Sequence, residues 1–104
     1  VEPGPTMADG LKPVRVGELN FAIARQPLAG CLRVGDEEIG RALSSLLIHA
    51  KVLVAPSGAA ALAAALRADL GGKPRHVGVI LSGGNLGPEA LSELVLRFPP
   101  HALV

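Results

Sequence analysis

Hydrophobic positions along this 104-residue chain either recur at helical spacing or cluster in short runs. Over residues 36–50 they recur at three- and four-residue steps, which predicts an amphipathic helix with Asp36 as its cap. The expected apolar face consists of Ile39, Ala42, Leu43, Leu46, Leu47 and Ala50. Weaker helical patterns over residues 18–25 and 89–97 predict two shorter helices. Residues 59–69 are nearly all Ala and Leu, so we expect a helix that is buried on most sides and stops at Gly71-Gly72.

Short, continuous apolar runs separate these helices. Residues 31–34 are a short strand candidate, and residues 51–54 and 77–81, rich in Val, Leu and Ile, each predict a buried strand. Residues 1–16 hold three prolines and two glycines and are expected to be mostly loop. Strands that alternate with helices predict an α/β fold with a parallel or mostly parallel sheet.

The composition supports a packed core of small aliphatic side chains. Hydrophobic residues make up 49% of the chain and charged residues 18%, which excludes a disordered protein. The aromatic side chains are Phe21 and Phe98, so the core must consist of Ala, Val, Leu and Ile. Mean hydropathy is +0.43, which is high for so small a domain. We therefore expect some apolar surface to contact the rest of a larger domain or another subunit.

Several classes of function receive no support. The net charge is +1 and no basic stripe is present, which argues against a nucleic-acid partner. An apolar run of about 18 residues is lacking, so we expect no membrane partner. The single cysteine, Cys31, is expected to be a buried small hydrophobe in a reducing compartment, which predicts a cytoplasmic protein. His49, His76 and His101 lack the spacing of metal ligands.

The loop of residues 82–85 is the best local candidate for chemistry. It follows a predicted strand and precedes a helix, the place where α/β sheets bind ligands. Two glycines allow a ligand to approach the backbone, and Ser82 and Asn85 offer hydrogen bonds. An ordinary strand-to-helix turn is the alternative. The simplest interpretation of Ser57 is a helix cap, and that of Asp9-Gly10 a turn.

Five segments together resemble one enzyme family. They are TMADGL at residues 6–11, GELNF at 17–21, VGDEEI at 34–39, AKVLVAPSGAA at 50–60 and LSGGN at 81–85. In this order and spacing they are similar to motifs of the fold-type-II pyridoxal-phosphate enzymes of the serine/threonine dehydratase and serine racemase family. The resemblance implies a three-layer parallel-sheet domain, pyridoxal phosphate as cofactor, and an ammonia-lyase that converts L-threonine or L-serine to a 2-oxo acid and ammonia.

The resemblance also implies roles for individual residues. Ser82 is similar to the serine that hydrogen-bonds the pyridine nitrogen of the cofactor, and Gly83 and Gly84 shape that edge of the pocket. Asp9 and Gly10 resemble a loop that lines the active site beside the cofactor ring. Lys51 and Asn85 match positions that contact a regulatory nucleotide in the racemase branch. Glu2 matches a residue that binds a divalent cation in some members.

Three departures from the family pattern change what is expected of the chain. The family's catalytic lysine segment and phosphate-binding glycine loop do not precede Thr6, so we expect no catalytic residue within residues 1–104 and no activity from them alone. The companions of Glu2 in a metal site would fall in a segment that is also missing. Ala55 stands in the substrate pocket where the family usually has Glu.

These observations predict that the chain is the C-terminal portion of a cofactor-binding catalytic domain. Its expected partners are a small amino-acid substrate, the remainder of the domain and, in the parent enzyme, further copies of itself. The alternatives are a degenerate, non-catalytic relative that stabilises another chain, and a serine racemase.

Overall fold

A computed structural model of the chain describes residues 4–28, 30–67 and 76–101. Within these residues the backbone forms four α-helices, which are α1 (Glu18–Ala24), α2 (Asp36–Ser45), α3 (Pro56–Arg67) and α4 (Pro88–Arg97). A 3-10 turn covers Asp9–Leu11, and a π-helical turn covers Leu46–Ala50 at the end of α2. None of the helices in these ranges is long and apolar enough to span a membrane.

Helix α2 is the centre of the core. It packs against both α3 and α4, and the side chains of Ile39, Ala42 and Leu43 are buried. Val54, Ala59 and Ala63 complete the core from the following segment and α3, and Ala8 adds to it from the N-terminal loop. The predicted apolar stripe of α2 is confirmed up to Leu46, whereas Leu47 is half-buried and Ala50 is exposed.

The C-terminal residues dock on α2 through one close approach. A Cβ atom at Gly40 would overlap the ring of Phe98, so the absence of a side chain lets the buried Phe98 ring lie directly on the helix. The backbone amide of His101 then donates to Ser45 Oγ at 2.8 Å. Helix α4, predicted over residues 89–97, begins at Pro88, and its Leu91, Leu94 and Val95 pack against the core as expected.

The predicted sheet is not formed within the described residues. Residues 31–34, 51–54 and 77–81 have no regular secondary structure there, so the predicted strands and their parallel sheet are not confirmed. The physical reason is that a strand exists only through backbone hydrogen bonds to a neighbour. Two of these segments nevertheless meet at their carboxyl ends, where the Ala55 amide donates to the Gly83 carbonyl at 3.1 Å.

Four local expectations also need correction. Helix α3 begins at Pro56 rather than residue 59, so Ser57 lies inside its first turn and is not its cap. The cap of α2 is Gly35 and not Asp36. Cys31 is exposed rather than buried. Helix α3 is buried or half-buried over most of its length, as expected, and its exposed residues are Ala61, Leu66 and Arg67. The predicted stop at Gly71-Gly72 lies outside the described residues.

Candidate functional site

A groove of about 690 Å3 runs between the Asp9–Leu11 turn, the start of α3, the loop of residues 82–85 and one face of α4. Its volume lies in the range of small-molecule sites. The lining residues are Met7, Asp9, Gly10, Leu11, Ala55, Pro56, Ser57, Ser82, Gly83, Asn85, Leu86, Ala90, Glu93, Leu94 and Arg97. The groove therefore combines an apolar floor with a few polar groups at its edges.

The first wall is the Asp9–Leu11 turn, which is bonded to α3. The amide of Gly10 donates to Ser57 Oγ at 2.8 Å. A Cβ atom at Gly10 would also lie 2.8 Å from that hydroxyl oxygen, so glycine permits the close approach. The Asp9 carboxylate forms an exposed ion pair with Lys12 at 3.3 Å, which solvent screens strongly. The Gly10-to-Ser57 hydrogen bond, rather than the exposed Asp9–Lys12 ion pair, therefore holds the middle of this wall.

The opposite wall is the loop that begins at Ser82. Gly83 has a φ of +80°, a left-handed conformation that favours glycine. A Cβ atom at Gly58 would overlap the carbonyl oxygen of Ser82, so α3 starts in direct contact with this loop. Together with the bond from Ala55 to Gly83, this contact fixes the backbone of Ser82 while its side chain remains exposed.

Charged side chains enter the groove from the side of α4. Glu93 and Arg97 are four residues apart and therefore lie on the same helix face. The Arg97 guanidinium stands 4.9 Å from the centroid of the Phe98 ring, a cation–π distance. In the described ranges, no group of three His, Cys, Asp or Glu side chains could hold a metal ion.

The structure brings most of the predicted site residues together. Asp9, Gly10, Ala55, Ser82, Gly83 and Asn85 all line the groove. Gly84 lies just behind it, where a Cβ atom would be 3.4 Å from the carbonyl oxygen of Leu53. Lys51 is not among the lining residues; its backbone is left-handed at φ 60° and its ammonium donates to the Ile48 carbonyl at 2.6 Å. Glu2 lies outside the described residues.

Sequence reasoning missed three polar contributors to the groove. Ser57 acts as an acceptor for Gly10 instead of capping α3, and Glu93 lines the groove from α4. Arg97 was not singled out at all. The i, i+4 spacing of Glu93 and Arg97 was the available signal that both would share one face of α4.

Comparison with known proteins gives the family. The model of the family described as pyridoxal-phosphate dependent enzyme matches residues 1–83, most of the chain. The chain belongs to this family. The resemblance inferred from the five motifs is thereby confirmed, and pyridoxal phosphate is the cofactor of the family, as predicted.

Individual curated relatives within the family include ammonia-lyases and a serine racemase. The chain is 34% identical to an L-threonine ammonia-lyase of Thermotoga maritima over 91% of this chain and 23% of the relative. It is 35% identical to a serine racemase of Dictyostelium discoideum, over 86% of the chain and 28% of the relative. An L-threo-3-hydroxyaspartate ammonia-lyase of Saccharomyces cerevisiae is 37% identical over the same shares. The chain thus spans about a quarter of the length of these relatives, and no solved structure matches it.

Proposed function

We propose that residues 1–104 are the C-terminal portion of the cofactor-binding domain of a cytoplasmic pyridoxal-phosphate-dependent ammonia-lyase acting on L-threonine or L-serine. The observation that carries the proposal is the groove, which gathers Ser82, Gly83, Asp9 and Gly10 from two distant parts of the chain. Family membership supports the cofactor, and two of the relatives named above are ammonia-lyases.

The groove residues fit a planar, ring-shaped cofactor. Gly83 places no side chain at the groove edge, so a ring can approach the backbone there, and Gly84 would shape that edge from behind. The exposed Ser82 hydroxyl can donate one hydrogen bond to a ring nitrogen but supplies no formal charge. When bound, pyridoxal phosphate withdraws electrons from the α-carbon of an amino acid. Asp9 and Gly10 would line the substrate side of the groove, and Ala55 its pocket.

The three-layer parallel sheet is part of this proposal. The Ala55-to-Gly83 hydrogen bond joins the ends of two apolar segments that run into helices, as neighbouring parallel strands do. Val77 and Ile80 are exposed in the second of these segments, and such side chains require a cover. We propose that the remainder of the parent domain supplies the strands and helices that pair with and cover these segments.

A second candidate is a degenerate relative that binds or stabilises another chain, and Ala55 is the observation that favours it. Ala55 lines the groove together with Ser82 and Gly83, and its amide donates to the Gly83 carbonyl at 3.1 Å. A carboxylate that the family usually has at this point is therefore missing next to the proposed cofactor site.

Turnover of L-threonine or L-serine by the full-length parent separates the two candidates, and D-serine formation would identify a racemase. A nucleotide site at Lys51 and Asn85 stays a separate prediction, since Asn85 lines the groove and Lys51 does not.

The sharpest test of the proposal is substitution of Ser82 in the full-length parent. Ser82→Ala should weaken cofactor binding about fivefold, the equivalent of about 1 kcal/mol for one hydrogen bond. Ser82→Asp should change the partition between elimination and side reactions, because a carboxylate favours a protonated ring nitrogen. The measurements are the dissociation constant of pyridoxal phosphate from its absorbance and the products formed.

A matched control is available on α4. Ser92 is an exposed serine that does not line the groove, so Ser92→Ala should leave both measurements unchanged. Equal cofactor affinity and equal products for wild type, Ser82→Ala and Ser82→Asp would show that Ser82 does not face the ring.

A further inference from the structure

The start of α2 contains a carboxylate that its own helix does not use. The backbone amide of Gly35 donates to Glu38 Oε1 at 3.0 Å, so Glu38 supplies the reciprocal bond at this helix end. Asp36, the first residue of α2, makes its side-chain hydrogen bonds elsewhere. Its carboxylate accepts hydrogen bonds from Thr6 and Met7, about thirty residues earlier in the chain.

These bonds fix the approach to the groove wall. Thr6 Oγ1 donates to Asp36 Oδ1 and accepts from the amide of Ala8 at 3.2 Å. The amide of Met7 donates to Asp36 Oδ2 at 3.2 Å. Three consecutive residues are thus oriented by one carboxylate and one hydroxyl, and Ala8 is buried in the core directly before the Asp9–Leu11 turn.

We propose that Asp36 and Thr6 are positioning residues for the Asp9–Leu11 wall of the groove. Neither residue lines the groove, so both act through the turn. Their bonds hold its N-terminal end on α2, while the Gly10-to-Ser57 bond holds its middle on α3. Bonds to a half-buried carboxylate are charge-assisted and stronger than neutral ones. The inference rests on the proposed function, since that gives the turn a ligand to position.

The competing explanation is that Asp36 only stabilises the N-terminus of α2 through the helix dipole. Glu37 provides the matched control, because it carries the same charge in the same helical turn. The described hydrogen bonds of the loop go to Asp36 and none goes to Glu37. A dipole effect would therefore be shared by Asp36→Ala and Glu37→Ala, whereas positioning would be confined to Asp36.

The test uses the full-length parent and two measurements. Amide hydrogen exchange of residues 7–11, followed by mass spectrometry, reports the turn itself. The dissociation constant of pyridoxal phosphate reports the groove. Thr6→Val and Asp36→Ala should each speed exchange and raise the dissociation constant by up to about fivefold, the factor for one lost hydrogen bond, because binding must then order the loosened turn. Thr6→Ser keeps the hydroxyl and should restore wild-type values, and Glu37→Ala should change neither.

Three results would overturn the inference. The first is an unchanged exchange rate in Thr6→Val, and the second is an equal effect of Asp36→Ala and Glu37→Ala. The third is faster exchange in Thr6→Val and Asp36→Ala with wild-type cofactor affinity, which would show that Thr6 and Asp36 have only a structural role. A wild-type parent that does not bind pyridoxal phosphate would overturn the proposed function instead. The exchange measurements would then decide alone whether Asp36 positions the turn.

Discussion

Helices α1 and α2 have similar sequence patterns but opposite surroundings. In both, apolar residues recur at helical spacing, and both begin with acidic residues. Leu43 of α2 is 1% exposed, whereas Leu19 and Ile23 of α1 are 73% and 62% exposed. The apolar stripe of α2 is covered by α3 and α4, while that of α1 has no cover among the described residues.

The difference shows that periodicity predicts a helix without predicting what covers it. An apolar stripe stabilises a fold only when another element removes it from water. Large exposed apolar patches on a folded chain mark contact surfaces. The α1 stripe is thus one contact surface that a neighbour would cover, in keeping with a chain that spans about a quarter of its relatives' length.

The largest expected effect is on the free energy of unfolding, when the same Leu-to-Ala substitution is made in α2 and in α1. Leu43→Ala should lower the free energy of unfolding by about 2–5 kcal/mol, because a fully buried side chain leaves a cavity in the core. Leu19→Ala should lower it by less than about 0.5 kcal/mol, since most of that side chain is already in water. Urea denaturation of the 104-residue chain measures both. Equal losses at the two positions would mean that the α1 stripe is covered after all.

A smaller effect is expected from adding one methyl group at the docking point of the C-terminal residues. Gly40→Ala should destabilise the chain by about 1–3 kcal/mol, because the Phe98 ring must move, and this outweighs the better helix propensity of Ala. Gly30→Ala, in the segment after α1, is the control, since nothing lies within 4 Å of its added Cβ atom. Thermal unfolding of both variants gives the comparison. A Gly40→Ala chain as stable as wild type would contradict the close packing of Phe98 on α2.

A substitution in α1 is expected to have the smallest effect on stability but a clear effect on self-association. The isolated chain should self-associate through its exposed apolar side chains, and Ile23→Lys should weaken that association while leaving the unfolding transition within about 0.5 kcal/mol of wild type. Asn20→Lys adds the same charge to the same helix at an exposed polar position and should change association less. Sedimentation velocity at several concentrations distinguishes them. A wild-type chain that stays monomeric at all concentrations would refute the expectation.

Much of the helical framework could be predicted from the sequence, because its signals are local. The stripe from Ile39 to Leu46 and the acidic first turn define α2, and Pro88 marks the start of α4 within one residue. The groove loop at Ser82 was also predictable, since glycines after an apolar run point to a ligand edge. For Asp9 and Gly10, however, the resemblance to the family provided the prediction, since spacing alone indicates only a turn.

The features that the sequence could not predict depend on distant partners. A strand at residues 77–81 needs a neighbour to accept its hydrogen bonds, and no local pattern tells whether one is present. Asp36 and Ser57 each looked like a helix cap, because both residue types commonly cap helices. Their actual partners, Thr6 and Gly10, lie 30 and 47 residues away. The side chains that shape the groove were therefore the least predictable ones.

The long separation between Gly10 and Ser57 also bears on the order of folding. Contacts between α2 and α3 close a short loop and cost little chain entropy, whereas the turn must be brought back across 47 residues before its bond can form. The helical pair can therefore assemble first, with the groove closing late, after the rate-limiting barrier. Substitutions that loosen the turn would then leave the refolding rate almost unchanged and act mainly by accelerating unfolding.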